Sequence, residues 1–286
     1  MALELKNPHS VMAALQTRPI DVTEIRLTAG SAQGSWGDVA DEARSQRIPV
    51  VIKKSAPQKM KRRQAEDQGR RTAGSVALVK PRTPFVLSEL FPDSGQETGG
   101  LWLALDCIQD PHNIGAIFRT AAFFGVRGIV LTKDRSAPIN ATVYDVASGG
   151  MEAVPFAVET NLSRSMTQAK ETGVWIMGTS EHAEEDVSVY SQDRPWMVVI
   201  GNEEKGLRHL TLEQCDVVTR LTPTGIVDSL NASVAAGIMS IIVTSSVSGS
   251  NYSGFMLFWS EPVCPRSPLG FLQPADYFGC TRNTCL

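Results

Sequence analysis

Three short stretches of this chain carry side chains and backbone suited to holding a ligand. In Asp106-Cys107-Ile108-Gln109-Asp110-Pro111-His112-Asn113, Pro111 disfavours helix and Asn113 stands where a helix N-cap belongs. Ile114, Ile117, Phe118 and Ala121 then recur at helical spacing, and Arg119 lies off that stripe as a lone charge. In Gly201-Asn202-Glu203-Glu204-Lys205-Gly206 an acidic loop is bracketed by glycines, which permit tight turns and close backbone approach to a ligand. In Leu221-Thr222-Pro223-Thr224-Gly225-Ile226-Val227-Asp228-Ser229-Leu230-Asn231 a Pro/Gly loop leads into a helix with Leu230, Val234, Ile238, Ile241 and Ile242 on its apolar side. Each stretch alone is compatible with an ordinary strand–loop–helix junction, with a capping asparagine, a solvated arginine and turn glycines.

The elements around them supply a reason to group the three. Apolar runs near 101–105, 128–132, 154–158, 174–178, 196–200 and 217–221 read as strands, with helices between most of them. Such alternation implies an α/β fold: a mostly parallel sheet with helices on both faces. All three stretches then lie at carboxyl ends of strands, where open α/β sheets bind ligands. No GxGxxG follows the first strand, so a standard dinucleotide fold is not indicated. Upstream, helices near 9–16 and 37–47, strands near 23–28, 49–52 and 75–80, and a basic helix near 55–68 form a small α/β unit over residues 1–80. Residues 81–100 read as a Pro/Gly linker and 101–247 as the main domain. The tail 248–286, with Ser/Gly, Trp/Phe runs and three cysteines, reads as a disordered extension. An added recognition element and an artefact of the reading frame are the alternatives.

Together the three stretches resemble the signature motifs of the SpoU-type RNA ribose 2'-O-methyltransferases, within the knotted methyltransferase superfamily. Asp110, Pro111, Asn113, Gly115 and Arg119 match the first motif; Gly201, Glu203 and Gly206 the second; Ser229, Leu230, Asn231, Ser233 and Ala235 the third. The resemblance covers residues 1–245 and departs in the tail. It implies a C-terminal trefoil knot, S-adenosylmethionine as methyl donor, and a homodimer. It implies donor contacts at Gly201, Leu221 and Leu230, with Gly178 or Thr179 lining the same pocket. Arg119, Asn113, Glu203, Ser229 and Asn231 become the expected catalytic set. A guanidinium rarely gives up its proton, so Arg119 suits a phosphate clamp and alkoxide stabiliser better than a general base. Asn113 and Asn231 would orient the target nucleotide, and Glu203 would anchor Arg119 or an incoming base. Residues 1–80 resemble the small substrate-binding domain of such enzymes, itself similar to ribosomal RNA-binding proteins. An RNA-binding homologue without activity and an enzyme acting on a base are the competing functions. Large-subunit ribosomal RNA is the first expected substrate and transfer RNA the second.

Charge supports a nucleic-acid partner. The formal charge of the whole is −3, yet residues 1–100 carry net +4 and residues 101–250 net −7. Between 53 and 82 lie ten basic residues, including Lys59, Lys61, Arg62, Arg63, Arg70 and Arg71, against only Glu66 and Asp67. Such a run on an acidic protein suits a phosphate backbone, the alternative being a solvated helix face. Five cysteines without CxxC spacing, no clustering with the four histidines and no signal-peptide pattern suggest a cytoplasmic protein without a metal centre. No apolar run approaches the roughly 20 residues of a membrane span.

Overall fold

A computed structural model describes residues 2–28, 33–53, 74–91, 99–190, 194–227 and 229–245. Seven of the ten basic residues of the run, Lys54, Lys59, Lys61, Arg62, Arg63, Arg70 and Arg71, lie outside them, as do the expected helix near 55–68 and the tail 248–286.

The N-terminal part runs β1 (Leu3–Leu5), α1 (Pro8–Thr17), β2 (Val22–Thr28), α2 (Ser35–Ser45), β3 (Val50–Lys53) and β4 (Val76–Val79). Its sheet has the order β1-β4-β2-β3, with β2 and β3 parallel and the other pairs antiparallel. Val22, Ile25 and Leu27 of β2 are buried beneath the two helices, packed with Val11, Leu15 and Val39. β1 was not expected; three residues are too few to show a period.

The second sheet is wholly parallel. It contains β5 (Leu101–Leu105), β6 (Gly128–Thr132), β7 (Phe156–Glu159), β8 (Trp175–Thr179), β9 (Trp196–Ile200) and β10 (Val217–Thr219), in the order β10-β8-β9-β5-β6-β7. Every residue of β5, β6 and β9 is buried, as expected for strands covered on both faces. Leu101, Leu103 and Leu105 join one core with α4 (Pro111–Phe123), α5 (Ala141–Ala147), α6 (Gly150–Ala153) and α9 (Ala232–Ser245). Trp102 and Ala104 face the other way, onto α3 (Leu87–Leu90) and α7 (Leu162–Glu171). A short α8 (His209–Leu212) precedes β10. From β5 the chain builds outward through β6 and β7, then crosses to lay β8, β9 and β10 on the other side. The strand ends beside β5 and β9 thus form a switch point, where crevices open. Among the described residues no helix is long and apolar enough to cross a membrane.

The two sheets share one core. Leu5, Val11 and Leu15 belong to the same buried cluster as Tyr144, Ala147 and Met151. Polar groups also cross between them. Asp145 Oδ1 accepts from the amides of Lys6 and Asn7, and Arg18 grips the buried Glu152 through Nε and Nη2 at 2.8 and 2.7 Å. Removing one partner of such a buried pair costs about 3–5 kcal/mol, because the other charge is left uncompensated. Within the stretch read as a linker, residues 81–91 pack closely. Arg82 donates to the carbonyls of Met151 and Val154, and Leu87, Leu90 and Phe91 are buried. Trp102 donates its Nε1–H to the Leu90 carbonyl at 3.0 Å. Proline and glycine content masked the apolar spacing of Leu87, Leu90 and Phe91.

Candidate functional site

The first stretch folds three residues earlier than its sequence suggested. Asp110 is the cap of α4, its Oδ1 accepting from the His112 amide at 2.8 Å, and Pro111 takes the first helical position. There its missing N–H is no loss, because that group has no intrahelical partner in any helix. Asn113 therefore sits inside the first turn with its carboxamide free for a longer reach. Ile114, Ile117, Phe118 and Ala121 are fully buried, as their spacing implied.

That reach ties the three stretches together. Asn113 Nδ2 donates to Glu203 Oε1 at 2.6 Å, and Asn113 Oδ1 accepts from Asn231 Nδ2 at 3.0 Å. Asn231 Oδ1 in turn accepts from the Ser233 amide and hydroxyl at 2.9 and 2.6 Å. Each amide is oriented by its neighbours: the carboxylate requires a donor from Asn113, which turns the Asn113 oxygen toward Asn231. Glu203, expected to anchor Arg119 or an incoming base, has one oxygen occupied by Asn113. Arg119 is exposed on α4 and makes no ion pair or side-chain hydrogen bond among the described residues.

The second stretch is a closed loop. Asn202 and Gly206 exchange two backbone hydrogen bonds, at 3.1 and 2.9 Å, and Gly206 has φ +63°. The Asn202 side chain accepts from the amides of Glu204 and Lys205 and donates to the Cys107 carbonyl at 3.1 Å. Gly201 is obligatory. A Cβ there would lie 2.5 Å from the Gly206 carbonyl carbon and 2.6 Å from the Leu207 nitrogen.

The third stretch is held at its start by Asp186, whose Oδ2 accepts from the Thr222 amide at 3.1 Å and hydroxyl at 2.7 Å. Hydrogen bonds from the Ser188 amide, the Thr222 hydroxyl and the Ser188 hydroxyl hold the Asp186 carboxyl far below the usual carboxylate range. Burial pushes the Cys215 thiol, beneath the same strands, up to about 11.

Between these loops, at the carboxyl ends of β8, β9 and β10, lies a cavity of about 590 Å³. Its walls include Thr179, Gly201, Glu203, Leu221, Ser229 and Leu230, six of the residues singled out in the sequence. Gly178 is not among them; its α-carbon faces Cys215 Sγ and Leu207. Asn113 and Asn231 sit behind Glu203 through the hydrogen-bond chain, and Arg119 does not line the cavity. Sequence reasoning passed over Arg220, which lines the cavity and whose Nε is buried with no hydrogen-bond partner among the described residues. It also passed over Asn202 and Asp106, whose only signal was a polar residue at a strand end.

Helix α9 turns its small residues inward and leaves part of the aliphatic stripe expected to serve a dimer contact at the surface. Ala232, Ala236, Met239 and Val243 are buried, while Val234 and Ile241 stay 48% and 41% exposed. Small residues let α9 approach α4 closely, with Gly237 near Thr120, and this places the bulkier aliphatic side chains outward.

Comparison with known proteins agrees with this geometry. The SpoU rRNA Methylase family profile matches residues 100–241. The chain is 36% identical over 231 residues to the 23S rRNA (guanosine-2'-O-)-methyltransferase RlmB of Neisseria meningitidis, spanning 81% of this chain and 90% of that protein. It is 37% identical over 234 residues to RlmB of Pseudomonas aeruginosa, spanning 80% and 91%. In fold it is similar to the SpoU methyltransferase AviRb from Streptomyces viridochromogenes, with TM-score 0.69, 20% identity, and 87% and 91% of the two chains covered. A crystal structure of an AdoMet-bound rRNA methyltransferase from Sinorhizobium meliloti superposes with TM-score 0.67 at 21% identity, covering 86% and 88%.

Proposed function

Because the chain belongs to the SpoU rRNA methylase family, we propose that it transfers a methyl group from S-adenosylmethionine to a ribose 2'-hydroxyl of large-subunit ribosomal RNA. The relatives are named for guanosine in 23S rRNA, and guanosine is the nucleoside we assign as target. The observation that carries this is the chain Glu203–Asn113–Asn231, which joins three loops beside one cavity. A site without function has little reason to orient two carboxamides against each other at a strand switch point.

The cavity suits the cofactor. Its volume falls within the roughly 300–1,000 Å³ of small-molecule sites. Gly201 gives backbone access that any side chain would close, Leu221 and Leu230 supply apolar walls, and Arg220 brings an unmatched donor. Backbone groups at Gly201, Leu221 and Leu230, with Thr179 beside them, would hold it. When bound, the cofactor supplies a methyl group on a sulfonium, so no metal is needed to activate the donor.

The protein's own work is positioning and charge. Two reactants held at near-attack geometry gain a large part of the rate enhancement. Asn113 and Asn231 orient the ribose, with Glu203 fixing Asn113 and Ser229 offering a hydroxyl at the cavity wall. Arg119, exposed and unpaired among the described residues, is available to an RNA phosphate. Its guanidinium binds phosphate bidentately and stabilises the negative charge that develops on the ribose oxygen as its proton passes to solvent water. Lys59, Lys61, Arg62, Arg63, Arg70 and Arg71 are assigned to the RNA backbone. The outward aliphatic side chains of α9, with Leu230 half-exposed near its start, form the contact of a homodimer. The cytoplasm, where ribosomal RNA is found, is the assigned compartment. Methyl transfer from labelled cofactor to 23S rRNA, followed by nucleoside mass spectrometry, tests the whole assignment.

A further inference from the structure

Asp106 is fully buried at the end of β5, and it is not part of the cavity wall. Its carboxylate is nonetheless bonded on both oxygens, and the Cys107 thiol donates to Oδ1 at 3.4 Å. Oδ1 pairs with Arg208 Nη2 at 2.7 Å, and Oδ2 accepts from the Thr211 hydroxyl at 2.9 Å and the Arg208 amide at 3.3 Å. Arg208 and Thr211 follow immediately on the glycine-bracketed loop. The next residue, Cys107, binds the other end of that loop, its carbonyl accepting from Asn202 Nδ2 at 3.1 Å. Cys107 adopts φ +61°, a left-handed conformation that a non-glycine residue takes at a cost, and its amide is fixed by the Thr132 hydroxyl at 2.9 Å. Two adjacent residues at one strand end therefore clasp both ends of a loop almost a hundred residues away.

We infer that Asp106 is a positioning residue for methyl transfer: through Arg208 and Thr211 it latches the loop that carries Gly201 and Glu203. The latch rests on the proposed function and extends it to a residue that touches neither reactant. The asymmetry of the pair gives it its test. The Asp106 carboxylate is wholly enclosed, whereas the Arg208 side chain is 43% exposed. Removing the arginine charge leaves a buried anion that the closed loop cannot tolerate, so the loop must open to hydrate it. Removing both charges leaves a neutral carboxamide that still accepts from Thr211 and the Arg208 amide.

The experiment measures S-adenosylmethionine affinity by calorimetry and RNA affinity by filter binding, for wild type, Arg208→Gln, Asp106→Asn/Arg208→Gln and Thr211→Val. Amide hydrogen exchange of residues 202–206 is followed in parallel. A charge-assisted buried bond corresponds to about a 10–100-fold loss. Arg208→Gln should weaken cofactor binding by that factor and speed loop exchange, with RNA affinity unchanged. The double variant should return to within about threefold of wild type. Thr211→Val leaves no orphaned charge and should lose only about 2–10-fold, which keeps the test open if Arg208→Gln does not fold. Wild-type-like cofactor binding in folded Arg208→Gln, or equal loss in the single and double variants, would overturn the latch. If wild type itself binds no cofactor, the proposed function fails instead.

Discussion

Replacing Gly201 by alanine offers a sharp test of the cavity's construction, because the structure fixes both the obstacle and its stiffness. The added Cβ would stand 2.5 Å from the Gly206 carbonyl carbon, 2.6 Å from the Leu207 nitrogen and 2.7 Å from the Gly206 oxygen. Ordinary contact begins near 3.4 Å, so the loop must retreat by about 0.9 Å. All three obstacles are backbone, and that backbone is closed by the Asn202–Gly206 pair and by the Asn202 side chain. Overpacking of this sort costs about 1–3 kcal/mol. Charged to cofactor binding, at 1.4 kcal/mol per tenfold, it raises the dissociation constant about 5–150-fold. Gly206→Ala is the matched control. No atom of the described residues lies within 4 Å of the Cβ it would add, and its φ of +63° adds only the left-handed penalty of about 1–2 kcal/mol. It should therefore disturb loop stability without filling the cavity wall. Calorimetry with S-adenosylmethionine on both variants, each checked by circular dichroism, reads the difference. Equal, wild-type-like affinity for Gly201→Ala would refute the claim that this backbone is the cofactor cradle.

Three further outcomes are expected. Arg119→Ala should reduce turnover at least 100-fold while leaving cofactor affinity within about twofold, because its contacts arise chiefly in the transition state; Arg119→Lys should also fail, since lysine cannot form a bidentate phosphate clamp. Ile241→Glu should convert the dimer to a monomer in light scattering, whereas a wild type that is already monomeric and active would remove the assigned α9 contact. Cys215, raised to about 11, should stay a protonated thiol at pH 8, with about one part in a thousand as thiolate. Its alkylation, followed by peptide mass spectrometry, should be slow and should quicken as the pH rises; rapid labelling at pH 8 would contradict its burial.

The sequence was most legible where a pattern repeats. The strands of the second sheet and the stripe Ile114, Ile117, Phe118 and Ala121 follow from burial on both faces of a sheet and on one face of a helix. The three loops were legible as a set because strand ends in a parallel sheet converge. What periodicity could not tell was which of two compatible roles a residue takes. Pro111 both interrupts helices and begins them, and only the Asp110 cap decides between the two. In α9 both faces are apolar, so the sequence could not say that alanines turn inward while Val234 and Ile241 turn out. The partnership of Asp106 with Arg208 and Thr211 spans about a hundred residues and has no local signature at all. The same holds for Glu203, whose partner proved to be Asn113.

The most direct measurement is the identity of the modified nucleoside. Purified protein would be incubated with methyl-labelled S-adenosylmethionine and unmodified 23S rRNA and transfer RNA in parallel, alongside Arg119→Ala, and each RNA digested for nucleoside mass spectrometry. The expected result is one labelled nucleoside, 2'-O-methylguanosine, formed by wild type and absent with the variant. Label on a base, label on transfer RNA in preference to 23S rRNA, or no transfer by a protein that binds the cofactor would contradict the assigned function.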